Sequence, residues 1–157
     1  MIVMGSAAFI VFYVSRDKRN LREAALAILI TAVWVACSGI YSYKSANLAI
    51  LGFNLFPFFS WIAGLLLLRA AYKRLGQYKY LKAVILYLFI LLTAEYLGYH
   101  LLGIQLDSDH PGLFGLPLLH APRYAQMYYL SMGPIFLLIF KLLDKKEEAI
   151  NADGRTL

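Results

Sequence analysis

Four stretches of this chain, residues 24–43, 48–68, 81–104 and 124–143, are each apolar over 20 residues or more. Together they make up more than half of its 157 residues. At 1.5 Å per residue, about 20 helical residues cover the roughly 30 Å hydrocarbon core of a bilayer. Backbone in hydrocarbon must satisfy its own hydrogen bonds, so such stretches are helices. Composition agrees: 61% of residues are hydrophobic and 15% charged, where a soluble domain carries about a quarter charged. Residues 1–14 form a further apolar run, which reaches only about 21 Å. Positive charge follows this run (SRDKRNLR) rather than preceding it as in a signal peptide, so it is expected to stay attached as a short first helix. The fold expected is an all-α bundle of five transmembrane helices, residues 1–143, followed by a solvated cytoplasmic tail, residues 144–157.

Charge placement sets the expected orientation. All but Lys44 and Arg123 of the 15 Lys and Arg residues fall in three clusters, around Arg16–Arg22, Arg69–Lys82 and Lys141–Arg155. Nearly uncharged connections alternate with them, which is the positive-inside pattern. The N-terminus is then outside and the C-terminus inside, in a cell membrane of bacterial or archaeal type. The net charge of +6 reports this orientation and possible contact with anionic lipid, and gives no case for nucleic acid. The single cysteine, Cys37, has no partner for an internal disulfide, and zinc-ribbon spacing is missing.

Polar side chains gather toward the outer ends of the helices. Counting inward places Ser38, Asn54, Glu95 and Ser131 roughly 8–14 Å below the outer boundary. Polar groups at such depth face an interior, a cavity or each other, which points to an outward-facing polar pocket. Glu95 is the sharpest of them, because an acid at mid-helix costs about 2.5–3.5 kcal/mol. Two readings stay open: a protonated Glu95 that fastens helices through Asn54 or a serine, or a general base or proton carrier whose pKa desolvation raises. His100, five positions on, lies about 140° around the helix and need not touch it.

The connection 105–123 (QLDSDHPGLFGLPLLHAPR) holds His110, His120, Asp107 and Asp109. Its prolines and glycines deny it a continuous helix, and its apolar centre LFGLPLL is expected to rest on the bundle as a lid. Imidazole and carboxylate suit zinc or iron, so His110, Asp107 and Asp109 are weak metal candidates beside His100 and His120; haem between His100 and His120 is a further alternative. The spacings match no compact ligand motif, and no cofactor is assigned. Arg123, at the start of the last helix, combines a guanidinium with the helix dipole and could hold an anionic head group. Gly133-Pro134 should free a backbone carbonyl and bend that helix. G-x-S-x-G, H-E-x-x-H, P-loop and G-x-G-x-x-G signatures are missing.

These residues define the functional expectation. The leading class is a membrane enzyme or lipid-handling protein at the outer leaflet, acting on a hydrophobic, isoprenoid-like ligand. Glu95, His100 and His120 would be catalytic, and Arg123, Asn54, Ser131 and Tyr99 would bind the ligand. The alternative is a non-catalytic subunit or assembly factor that docks other membrane subunits. A small proton-coupled transporter, working through self-association, is third.

Overall fold

The first two helices turn on Asp17. In a computed structural model, which describes residues 1–38, 49–50, 53–106 and 109–153, helix α1 (Ile2–Arg16) ends where Asp17 becomes extended. The Asp17 carboxylate then accepts the backbone N–H of Arg19 at 2.9 Å and so caps helix α2 (Lys18–Ser38), filling one of the orphan donors of its first turn. This cap explains why α2 begins six residues before the expected 24. A two-residue antiparallel pair follows, β1 (Ala49–Ile50) with β2 (Phe53–Asn54), in the register Ala49 to Asn54 and Ile50 to Phe53. Helix α3 (Leu55–Arg74) starts at the Asn54 cap, whose Oδ1 accepts from Phe56 N at 3.0 Å, with Pro57 in the first turn where its missing N–H is harmless. The expected helix 48–68 is therefore corrected: it starts seven residues later and ends six residues later.

Helix α4 (Lys79–His100) comes back after a four-residue turn, ending before the Leu101–Ile104 stretch expected to continue it. A single 3-10 turn at Leu113–Gly115 punctuates the long connection, and α5 (Arg123–Asp153) completes the chain. The last helix runs through most of the segment expected to be a solvated tail. The described residues thus form five α-helices. Of these, Leu55–Arg74, Lys79–His100 and Arg123–Lys146 are long and apolar enough to cross a membrane, and α1 is a shorter apolar helix.

Helix α3 lies at the centre. One of its faces buries Ile62, Leu65 and Leu66 against Tyr13 of α1, Ala24 and Ala27 of α2, and Met132 and Phe136 of α5. The small alanines let the backbones approach, the usual device where lipid is as apolar as the side chains. Another face puts Leu68 and Tyr72 against Ala83 and Tyr87 of α4 and Leu137 of α5. Gly133 makes room for α4: a Cβ there would lie 2.6 Å from the Tyr87 ring. The Tyr87 hydroxyl donates to the Tyr129 carbonyl and the Tyr80 hydroxyl to the Pro134 carbonyl at 3.2 Å. Two tyrosines of α4 thus bond α5 carbonyls close to the Gly133-Pro134 step. Outward, α4 leaves Leu81, Ile85, Phe89 and Ile90 exposed, an apolar face suited to lipid.

An ionic knot ties the basic end together. Arg69 of α3 donates from Nε to Glu23 of α2 at 2.9 Å and from an Nη to Asp144 of α5 at 2.8 Å. Lys73 reaches the same Glu23 at 2.9 Å, and the Tyr13 hydroxyl of α1 donates to it at 2.5 Å. Asn20 joins α1 to the knot through the Tyr13 carbonyl at 2.8 Å, and the Arg69 guanidinium lies over the Phe140 ring, 4.6 Å from its centroid. Four helices meet at one carboxylate and one guanidinium. Removing one partner of a buried pair strands the other charge, a loss of roughly 3–5 kcal/mol. Arg69→Met is expected to lower thermal stability in lipid nanodiscs, by less than that full loss because Lys73 and Tyr13 still meet Glu23. Asp144→Asn should cost clearly less, because its side chain is 37% exposed. Equal melting of Arg69→Met and wild type would contradict this role.

Candidate functional site

A groove of about 400 Å³ runs between α3 and α4. Along α3 it extends from Phe56 to Ala71, and along α4 from Tyr99 back to Leu86, as two antiparallel helices require. The fifteen steps of 1.5 Å from Phe56 to Ala71 make it roughly 22 Å long. Most of its wall is hydrocarbon: Leu65, Leu67, Leu68, Leu86, Ile90 and Leu91. Gly64 and Gly98 also line it, and a Cβ added to either would meet nothing within 4 Å. Ser60, Glu95, Tyr99, His120 and Tyr129 supply hydroxyl, carboxylate and imidazole groups at the end away from the ionic knot.

There Glu95 and His120 form a pair. Glu95 Oε1 accepts the backbone N–H of His120 at 2.9 Å and lies 2.9 Å from His120 Nδ1. A carboxylate in that position holds the imidazole proton on Nδ1 and leaves Nε2 as the basic nitrogen. Tyr99 fixes the ring plane, stacked on His120 with centroids 3.6 Å apart at 11°. His100 stands edge-on to both, 5.0 Å from Tyr99 and 5.6 Å from His120, with Nε2 3.3 Å from the Pro117 carbonyl. Oriented by a carboxylate and packed by an aromatic ring, His120 has the geometry of a general base. Glu95 Oε2 is buried and, like Ser60 Oγ, has no hydrogen-bond partner among the described residues.

The connection before α5 delivers His120 to this place. Leu119 and Ala121 are almost fully buried, and Ile104, Leu106 and Leu119 join the groove wall. Leu119 takes φ of 53°, a left-handed conformation that costs a non-glycine residue about 1–2 kcal/mol and turns the next N–H toward Glu95. Strain of this kind persists where the surroundings over-determine it. Gln126 of α5 is one such support: buried, its Nε2 donates toward the carbonyls of Pro111, Leu119 and Ala121 at 3.0, 3.1 and 2.9 Å. Gly112 is another, since a Cβ there would fall 1.7 Å from the Leu116 carbonyl oxygen.

Of the residues expected at a site, Glu95, Tyr99, His100 and His120 come together. Asn54 is instead the cap of α3, and Ser131 returns its hydroxyl to the Tyr128 carbonyl at 3.2 Å; neither lines the groove. Arg123 stands exposed in the first turn of α5, away from the groove wall. Among the described residues no three His, Cys, Asp or Glu side chains converge as metal ligands. Asp109 and His110 lie in the connection, while Asp107 and the Ser38 side chain fall outside the described residues. With their rings in edge contact, His100 and His120 leave no room for a porphyrin between them. Ser60, Tyr129 and Gln126 escaped the sequence reading. Gln126 alone carried a signal, as an amide among apolar residues directly after Pro122-Arg123.

Comparison with protein-family models, with curated proteins and with solved structures finds no match to this chain. The site's chemistry is therefore argued from its own geometry. Gln126→Leu keeps the side-chain volume but removes hydrogen bonds worth about 1 kcal/mol each. Hydrogen exchange of residues 111–121 is expected to speed up at least tenfold in this variant, with α3 and α4 unchanged. Identical exchange in both proteins would show that Gln126 does not hold the connection.

Proposed function

We propose that this chain is a membrane enzyme that takes a hydrophobic substrate from the bilayer into the α3–α4 groove and deprotonates its polar group at the Glu95–His120 pair. One observation carries the reading: the carboxylate-oriented imidazole, at 2.9 Å, stands at the polar end of an otherwise apolar groove of about 400 Å³. Pockets of this size, mostly apolar with a few convergent polar groups, are the usual form of small-molecule sites. His120 Nε2 takes the proton, Glu95 compensates the imidazolium that results, and Tyr99 holds the ring. The part of the connection from Asp109 to Pro122 acts as the lid. Gathering of Arg69, Lys73, Glu23 and Asp144 at the other end supports an orientation with the basic end in the cytoplasm, the N-terminus outside and the site toward the outer leaflet.

The lipids of host membranes test this. Cells producing the wild type are expected to show one lipid species converted to a product by mass spectrometry, and cells producing His120→Ala none. Gly98→Leu fills the groove and should abolish conversion too. It places a good helix former where glycine stood, a change of up to about 1 kcal/mol in the helix's favour, so it should not unfold the protein. Unchanged lipid composition for wild type, together with a stoichiometric partner in gentle purification, would replace this reading by that of a non-catalytic subunit.

A further inference from the structure

The wall of the groove carries a charge that nothing else in the wall opposes. Among the described residues that line it, Glu95 is the one carboxylate, and none is Lys or Arg. A general base is uncharged before it takes its proton. The working form of the pair is therefore a carboxylate beside a neutral imidazole, one negative charge in all. The ring and backbone nitrogens of His120, each 2.9 Å from Oε1, stabilise that charge without cancelling it. The side chains of Glu95 and His120 are only 19% and 12% exposed, so salt and water screen the charge little. Its field acts across that end of the groove, with no direct contact to the carboxylate required.

An anionic head would be repelled there, and Arg123, the expected anion anchor, is exposed and outside the groove wall. A neutral head would leave the charge of the wall unopposed, whereas a cation opposes it, and buried charges are stable when paired. Aromatic side chains favour the cation as well. Phe56 and Trp61 of α3 and Tyr129 of α5 line the groove, with Trp61 and Tyr129 in contact at 5.1 Å between centroids. Electron-rich rings attract ammonium groups, most strongly where water is scarce.

The proposed proton transfer points the same way. An ammonium brings its own proton: the N–H bond breaks, the electron pair stays on the amine nitrogen, and the proton joins His120 Nε2. Positive charge passes with it from the head to the imidazolium, which stays opposite Glu95 at 2.9 Å. One positive charge thus faces the carboxylate both before and after the step. A neutral head provides this only afterwards.

We propose that the α3–α4 groove binds a cationic long-chain amine, its ammonium head at the Glu95–His120 end and its chain along Leu65, Leu68 and Ile90. This rests on the reading of the groove as the substrate site and adds the substrate's chemical class. It also replaces the anionic head group that Arg123 suggested.

The test uses the full-length protein in phosphatidylcholine nanodiscs, with radiolabelled hexadecylamine as probe and protein-free discs to correct for partition into lipid. Hexadecanol, palmitate and hexadecyl phosphate serve as competitors with the same chain and a different head. Hexadecylamine is expected to bind saturably at one site at pH 8, with each competitor at least tenfold weaker. Glu95→Gln removes the charge and keeps the size, and should bring the amine down to the level of the alcohol. Gly98→Leu should remove all binding. An alcohol or anion that equals the amine on the wild type, with Gly98→Leu still blocking it, overturns the amine assignment and leaves the groove as the site. An amine preference that survives in Glu95→Gln overturns it too. The order of head groups on the wild type decides the matter even where Glu95→Gln fails to fold. No saturable binding of any probe, or binding untouched by Gly98→Leu, removes the groove reading and the proposal with it.

Discussion

Hydrocarbon does not solvate a carboxylate, and much of this structure is the consequence of where its carboxylates go. Glu23 is buried at the basic end and is met there by Arg69, Lys73 and Tyr13. Glu95 sits on α4, toward the other end, and is met by one histidine, through both its ring and its backbone. The first carboxylate is saturated with cations and hydrogen-bond donors, and it binds four helices together. The second is only half answered: one oxygen accepts two donors, and the other is buried with no hydrogen-bond partner among the described residues. Saturation makes a structural joint, and the half-answered carboxylate belongs to the pair on which the proposed site rests.

This difference explains why the connection before α5 is built with so much constraint for an irregular segment. His120 must arrive with both N–H groups aimed at Glu95, and the chain takes a left-handed turn at Leu119 to do so. Gln126, Gly112 and the burial of Leu119 and Ala121 hold that turn in place. Each support is local and ordinary. Their sum is an imidazole fixed in position and plane, over a groove that glycines at 64 and 98 keep open.

Much of the architecture was legible in the sequence, because hydrophobic length is a strong signal in a lipid solvent. Helix ends were less so. Caps such as Asp17 and Asn54 depend on side-chain geometry, and α2 and α3 shifted by several residues on their account. The site was readable as a place: Glu95, Tyr99, His100 and His120 do meet. The pairing itself was hidden, since Glu95 and His120 are 25 residues apart and join only through a strained turn. The ionic knot was missed for a different reason. Arg69 and Lys73 counted as orientation signals, while Glu23 drew no reading and Asp144 fell at the start of the expected tail. Only the packing of α1, α2, α3 and α5 brings them together. Asn54 and Ser131 misled in the opposite sense, as polar residues at plausible depth whose hydrogen bonds turn back on their own backbone.

The account stands on the proton that Glu95 holds on His120. With three histidines in the chain, nitrogen NMR of histidine-labelled protein in nanodiscs can read each ring. At pH 8 one ring is expected as the neutral tautomer protonated at Nδ1 with Nε2 bare, the less common form in water, and Glu95→Leu should return it to the Nε2-protonated form. Three rings already protonated at Nε2, or an Nδ1 signal indifferent to Glu95→Leu, would contradict the pairing on which the site depends.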